Sequence, residues 1–397
     1  MTEFAEFPES SVRARSRPRS RLLPAAFGAR PSGERLARVL RSPQYRDGAF
    51  RNGGPVRLGG SGDLPALLRD LLLHPDRGRR KPAGPVPLVR PAAADPSDRP
   101  GSGLRLTWLG HAGVLAEIDG HRVLFDPVWG ERCSPFPFAG PRRLHRSPLS
   151  LRELGRLDAV VISHDHYDHL DMPTIRSLAR GGAAFVMPLG VGAHLEHWGV
   201  PARRLTELDW GESTRVGELT LTATPGQHFC GRGLRDRFQT LWASWVVAGP
   251  RHRVFHSGDT GYFPGFAAIG REHGPFDATM MQVGAYSTEH WPDIHMTPEE
   301  GVRAHLDLSG GSAHGVLLPV HWGTFVLAMH PWEEPAERTV REAGRLGVTV
   351  AVPRPGESFE PAAGLPLTAW WEAVAARPAP AATASPLGAR PARPAGR

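Results

Sequence analysis

Two kinds of hydrophobic periodicity divide this chain. From residue 104 onward, short apolar or alternating runs recur between turn signals and predict strands over 104–109, 113–118, 121–125, 157–162, 217–224, 240–248, 252–257, 278–283 and 315–320. Between them, helical periodicity predicts helices from near Ser150 and over 172–180, 189–198, 263–272, 297–307 and 333–345. Hairpin-linked strands mixed with single helices predict an α+β chain with two sheets sandwiched between helices. Ahead of residue 104, helical patterns cover 34–41 and 62–73, and 78–103 is rich in Pro, Gly and Arg and reads as a linker. The helix around Leu64–Leu73 is amphipathic, and packing on the core is its expected fate ahead of lying at a membrane surface.

Composition refines this plan. With 397 residues, 40% hydrophobic and 22% charged, the chain has ordinary globular composition and enough length for a sizeable core. Residues 104–360 are expected to form one main domain, preceded by a disordered basic arm over 1–33 and an extension over 34–103. Residues 361–397 are expected to form a C-terminal segment with a disordered Pro/Ala/Arg-rich tail. The net charge of +7 is uneven: residues 1–100 hold 19 Lys and Arg against 10 Asp and Glu. An Arg-rich arm suits anionic lipid or nucleic acid, but biased Arg usage in a tail is the preferred reading, so nucleic acid is not the expected partner. Two cysteines, Cys133 and Cys230, argue against a disulfide framework. Leu22–Ala29 is short and broken by Pro24, unlike a signal peptide, and no window nears the ~20 apolar residues of a spanning helix. A cytoplasmic chain, open to peripheral membrane contact and to oligomerisation, is expected.

The candidate chemistry sits where strands end. The run Leu157–Ile162 leads into Ser163-His164-Asp165-His166-Tyr167-Asp168-His169-Leu170-Asp171, three imidazoles and two carboxylates within the six residues 164–169. His164 and His166 can share one metal; Asp168 and His169 can take a second close by. Imidazole with carboxylate suits zinc or a similar divalent ion. Three further strand ends present a ligand-type residue on a Gly-containing turn: His228 after 219–224, Asp259 after 253–257 and His321 after 316–320.

These motifs resemble those of the metallo-β-lactamase-fold hydrolases, and most of all the group that includes N-acyl-phosphatidylethanolamine-hydrolysing phospholipase D. The narrower resemblance rests on Thr107-Trp108-Leu109-Gly110-His111-Ala112, Phe125-Asp126-Pro127-Val128-Trp129, Gly258-Asp259-Thr260-Gly261-Tyr262 and His321-Trp322-Gly323-Thr324-Phe325. It covers about 104 to 360 and implies a four-layer αββα sandwich. It implies that His164, His166 and His228 hold a first metal ion, and that Asp168, His169 and His321 hold a second. Asp259 would bridge the two ions, taken to be Zn2+, with Asp168, His169 and Asp259 central to catalysis. The implied reaction is attack of a metal-bridging hydroxide on a phosphodiester, releasing N-acylethanolamine and phosphatidic acid from the phospholipid.

A metal-bound imidazole needs an acceptor for its other N–H. Asp126 is the first candidate, and His111 could reach the same shell. Tyr286 and His295 could contact substrate or protonate the leaving group. Asp165 stands where the lipid hydrolase carries Asn, and the segment 287–294 departs from it, which leaves head-group and acyl preference open. Cys230 is expected to be a buried free thiol. A lactonase or a hydrolase of a small phosphorylated metabolite, and a nucleic-acid-processing protein using the arm, are the alternative readings.

Overall fold

The computed structural model describes residues 25–58, 64–91, 100–233 and 235–374. A helix α1 (Gly33–Arg41) leads into a hairpin, β1 (Tyr45–Arg46) and β2 (Ala49–Phe50), and then α2 (Leu64–Leu73). The body follows as β3 (Leu104–Gly110), β4 (Gly113–Ile118), β5 (His121–Phe125), β6 (Ala159–Val161), α3 (Met172–Leu178), β7 (Ala184–Pro188), α4 (Gly192–His197), β8 (Leu205–Leu208), β9 (Ser213–Val216) and β10 (Leu219–Thr224). It continues with β11 (Ser244–Ala248), β12 (Arg253–His256), α5 (Gly265–His273), β13 (Ala278–Gln282), α6 (Pro298–Leu308), β14 (Val316–Val320), α7 (Glu334–Leu346) and β15 (Ser358–Phe359).

One sheet has the order β15-β3-β4-β5-β6-β7-β8, the other β14-β13-β12-β11-β10-β9. Antiparallel hairpins open each half, while β5 to β8 and β12 to β14 run parallel. The pleat explains how the layers pack. Along β4 to β6, Val114, Ala116, Val123, Phe125, Ala159 and Val161 join a core shared with Leu221, Ala223, Trp245 and Val254 of the second sheet. The alternate residues Leu115, Leu124, Val160 and Ile162 pack instead with Ile175, Leu178 and Leu195 of α3 and α4. A period of two thus sends one face to the facing sheet and the other to helices. Phe266, Val302, Leu308 and Ala336 of α5, α6 and α7 cover the second sheet, completing the expected αββα sandwich. Each fully buried Val, Leu, Ile or Phe among these contributes roughly 1.5–3 kcal/mol.

Local signals fix the helices that border the site. Asp171 caps α3, accepting from the Thr174 amide at 3.2 Å, with Pro173 in the first turn. Thr297 and Glu300 form a reciprocal capping box that starts α6 at Pro298. The helix expected near Ser150 is a single turn: Glu153 accepts from the Ser150 amide at 2.7 Å, but Gly155 turns to φ 66° and ends it.

The expected arm and linker need correction. Residues 1–24 and 375–397 lie outside the described residues, but 25–33 are not a disordered arm. Ala26 is buried, Trp198 Nε1 donates to Ala25 O at 2.8 Å, and the Arg232 guanidinium donates to Ala26 O at 3.0 Å. Of the stretch read as a linker, 92–99 lie outside the described residues, and the part before them packs: Arg80 is buried, Val86 joins the main core, and Val89 donates to Pro355 O at 3.0 Å. Apolar anchors spaced far apart in a polar stretch give no periodicity to read. Among the described residues, no helix is long and apolar enough to cross a membrane.

Candidate metal centre

The ligand-type residues named from the sequence meet at one edge of the sandwich, on the loops that leave β6, β10, β12 and β14. Parallel strands end together, so side chains just beyond them converge outside the carboxyl edge of the sheets. Two sets form. In one, His166 Nδ1 lies 2.8 Å from His164 Nε2 and 3.2 Å from His228 Nε2. In the other, Asp168 Oδ2 lies 2.9 Å from His111 Nε2, 3.1 Å from His321 Nε2 and 3.6 Å from His169 Nε2. Asp259 Oδ2 stands between them, 3.9 and 3.8 Å from the His164 and His228 Nε2 atoms and 3.2 and 3.1 Å from those of His169 and His321.

The donor set fits divalent cations. Ligand atoms around a tetrahedral zinc at 2.0–2.1 Å stand about 3.3 Å apart, close to the separations within each set. His169 Nε2 and Asp259 Oδ1 are buried without a hydrogen-bond partner, an arrangement that is costly unless something binds there. The tautomers agree. His228 Nδ1 donates to Ile294 O at 3.0 Å and His169 Nδ1 donates to Asp126 Oδ2 at 2.7 Å, which turns the Nε2 of each ring toward the centre. Ser163 Oγ donates to Asp126 Oδ2 at 2.6 Å and lies 2.9 Å from His164 Nδ1, so it accepts from that imidazole and turns its Nε2 inward as well.

Electrostatics divide the imidazoles. Burial, reinforced by neighbouring imidazoles, holds His164 well below its ordinary range; burial does the same for His228. Burial also opposes the charge on His169 and His321, but Asp259 and Asp168 outweigh it, lifting His169 well above its usual value and His321 to about 9. The carboxylates themselves are held ionised: burial works against them, and His169 leads the groups that keep Asp168 and Asp259 well below the carboxylate range. The centre is therefore a place where carboxylates collect positive charge.

The backbone is strained around it. His111, Asp126, Ala285 and His321 have φ of 54°, 38°, 59° and 67°, a region non-glycine residues enter at a cost of about 1–3 kcal/mol and mostly at functional sites. Gly258, at φ 55°, precedes Asp259; a Cβ there would lie 2.6 Å from Ser163 Cβ.

The supporting candidates fare differently. Asp126 and His111 contact the centre as described. His295 Nε2 lies 3.7 Å from Asp259 Oδ2, and His295 lines the adjoining cleft. Tyr286 does not reach it: its hydroxyl donates to Glu334 and accepts from Arg338 Nη1 at 3.0 Å. The turn at Ala285 sends consecutive side chains to opposite sides, so Ala285 faces the cleft while Tyr286 stacks on His330 behind it. Asp165 also faces away, bonded to Thr240 Oγ1 at 2.9 Å, to the Gly231 amide at 2.8 Å and to His194 at 3.2 Å. Cys230 is a buried free thiol that donates to Thr240 O at 2.7 Å. Sequence reasoning missed Ser163, although it precedes the cluster directly. It also missed Asn52, whose amide brackets the backbone of His228, because nothing in the spacing links positions 176 apart. The cleft holds about 230 Å³, and its walls away from the imidazoles are Leu58, Phe229, Ala285, Trp291, Ile294 and Leu327.

Fold and site together define a metallo-hydrolase of the β-lactamase type. The family model described as "Beta-lactamase superfamily domain" matches residues 121–322, and the chain belongs to that superfamily. Within it, the chain is 50% identical over 351 residues to an uncharacterized protein of Mycobacterium tuberculosis, spanning 88% of this chain and 92% of that one. It is 37% identical over 235 residues to N-acyl-phosphatidylethanolamine-hydrolyzing phospholipase D 1 of Caenorhabditis elegans, spanning 56% of this chain and 65% of that protein. Among solved structures, a possible metal-dependent hydrolase from Veillonella parvula shares the fold with a TM-score of 0.52 at 19% identity, covering 64% of this chain and 98% of that one.

Proposed function

We propose that this chain is a dinuclear metal-dependent phosphodiesterase of phospholipase D type. In this reading His164, His166 and His228 hold one ion, Asp168, His169 and His321 hold the other, and Asp259 serves both. The observation that carries it is the position of Asp259 Oδ2 between two imidazole sets, beside a cleft whose remaining wall is apolar. The likeness to the nematode phospholipase D supplies the substrate class, N-acyl-phosphatidylethanolamine. Two divalent ions, with Zn2+ the expected pair, supply Lewis acidity at the phosphoryl group and lower the pKa of water toward ~7.

The chain's own groups do the rest. Water oxygen adds to phosphorus, the phosphorus–oxygen bond to the N-acylethanolamine breaks, and a proton must reach the departing alkoxide. His295 lines that part of the cleft: burial first of all lowers it to about 4, so it is a neutral imidazole that can take up the proton the attacking water gives up and pass one on to the departing oxygen. Asp126 and Ser163 keep His169 and His164 oriented, while Trp291, Ile294 and Leu58 exclude water and receive the apolar part of the substrate next to the phosphate.

A cleft of about 230 Å³ is small beside ordinary ligand pockets of about 300–1,000 Å³, which favours as second reading a lactone or a small phosphorylated metabolite. The test is zinc-loaded protein mixed with N-acyl-phosphatidylethanolamine in micelles, with and without chelator, and mass spectrometry of the products. Chelator-sensitive N-acylethanolamine and phosphatidic acid are expected. No product from protein shown to hold two ions would remove the phospholipid reading and leave the compact substrates to be assayed.

A further inference from the structure

The region matched by the superfamily model begins at residue 121, yet a segment before it reaches into the centre. The hairpin of β1 and β2 is anchored by Phe50, fully buried against Leu189, Cys230, Leu241 and Trp242 and hydrogen-bonded through its amide to Phe238 O at 2.9 Å. Two residues on, Asn52 Nδ2 donates to His228 O at 2.8 Å and Asn52 Oδ1 accepts from His228 N at 3.0 Å. One side-chain amide thus satisfies both polar groups of a single buried peptide position, as a paired strand would. The chain then continues to Arg57, whose amide and guanidinium both bond Asp293 at 2.8 to 3.0 Å, and to Leu58 in the cleft wall. Asp293 adjoins Ile294, whose carbonyl fixes the His228 tautomer.

We infer that Asn52 is a positioning residue for the His228 metal ligand, carried on a strap that Phe50 ties to the body at one end and Arg57 at the other. The inference rests on the reading of His228 as a ligand. His228 is held at three points: its ring by Ile294 O and its N–H and C=O by Asn52. β10 ends at Thr224, four residues earlier, so no ladder of that strand fixes its backbone. Asn suits this task because it carries a donor and an acceptor at one fixed spacing. Aspartate, of the same size, keeps the acceptor but turns a second oxygen on the His228 carbonyl. Alanine leaves both peptide groups bare.

The experiment measures metal affinity by chelator competition and the visible spectrum of cobalt-substituted protein, for the parent, Asn52→Ala, Asn52→Asp, His228→Ala and a strap control, Arg51→Ala. Outer groups that orient ligands are typically worth 10–100-fold in metal affinity. Asn52→Ala should therefore loosen one of the two ions about 10–100-fold and change its cobalt spectrum, while the other ion stays bound as in the parent. Asn52→Asp should loosen the same ion, and it serves as the deciding variant should the alanine protein not fold. Arg51→Ala should leave both ions at parental affinity. Parental affinity for both ions in folded Asn52→Ala or Asn52→Asp would overturn the assignment, and so would equal loosening of both ions. His228→Ala that still bound both ions at parental affinity would instead defeat the ligand reading underneath it.

Discussion

Replacing Asp126 by Asn tests whether a hydrogen bond sets the tautomer of a ligand. Asp126 Oδ1 accepts from the Ser163 amide at 2.7 Å, and Oδ2 accepts from Ser163 Oγ at 2.6 Å and His169 Nδ1 at 2.7 Å. Asparagine can keep the first bond through its oxygen, but then presents NH2 where both other partners donate. The His169 proton must leave Nδ1 and settle on Nε2, the atom that faces Asp259 at 3.2 Å, and a protonated nitrogen cannot ligate. Asn also tolerates the φ of 38° at this position, so backbone strain does not confound the comparison. Loss of such a partner corresponds to a weakening of about 10–100-fold in metal affinity, or about 1.4–2.8 kcal/mol. The inverted charge-assisted bond should lower fold stability by roughly 1.5–3 kcal/mol. Chelator competition should show one weakened ion, with urea unfolding giving the stability cost. A folded Asp126→Asn protein that binds both ions like the parent would refute the tautomer argument.

Asp259→Asn should abolish turnover with the fold intact, since it removes the charge both ligand sets share; measurable activity with both ions bound would contradict its central place. His305 gives a pH test away from the centre. Burial lowers it to about 4 against 6.5 when unfolded, so between those values the unfolded chain binds the extra proton. Its contribution is fully present above pH 6.5 and is lost as pH falls toward 4, at up to about 1.4 kcal/mol per pH unit. Urea midpoints of His305→Leu should fall less steeply over that window than the parent's, and an unchanged slope would show that the imidazole is not buried neutral.

The body of the fold was legible in most strands that are buried on at least one face. β4, β5 and β14 carry β-branched and apolar residues in phase with the pleat. The strands that escaped notice have physical reasons. β8 and β9 are the outer strands of their sheets, and Leu205-Thr206-Glu207-Leu208 and Ser213-Thr214-Arg215-Val216 are four residues each and mostly half-buried, with too few apolar positions to mark a period. β7 is five residues ending in Pro188, with no polar position to mark a period. At the site, the His-x-His-x-Asp-His run announces itself because its ligand-type residues are neighbours in sequence. Tyr286 misled because a turn residue beside a cleft can face either way, and only the φ of Ala285 decides which. Asn52 has a generic identity, and its role comes wholly from where the hairpin places it.

The tryptophans have a practical consequence. Trp322 follows His321 directly, and its ring stacks on Trp108 at 5.3 Å and 16° and on Trp370 at 5.3 Å and 26°, with Trp332 at 6.4 Å. Indoles this close share their excited states, so the near-ultraviolet circular dichroism of the chain should carry a coupled signal from this stack. A shift of the His321 backbone on cation binding would tilt one member of it. Such a tilt would give the molecule an unlabelled optical gauge of its own loading, readable in a cuvette while metal is titrated in.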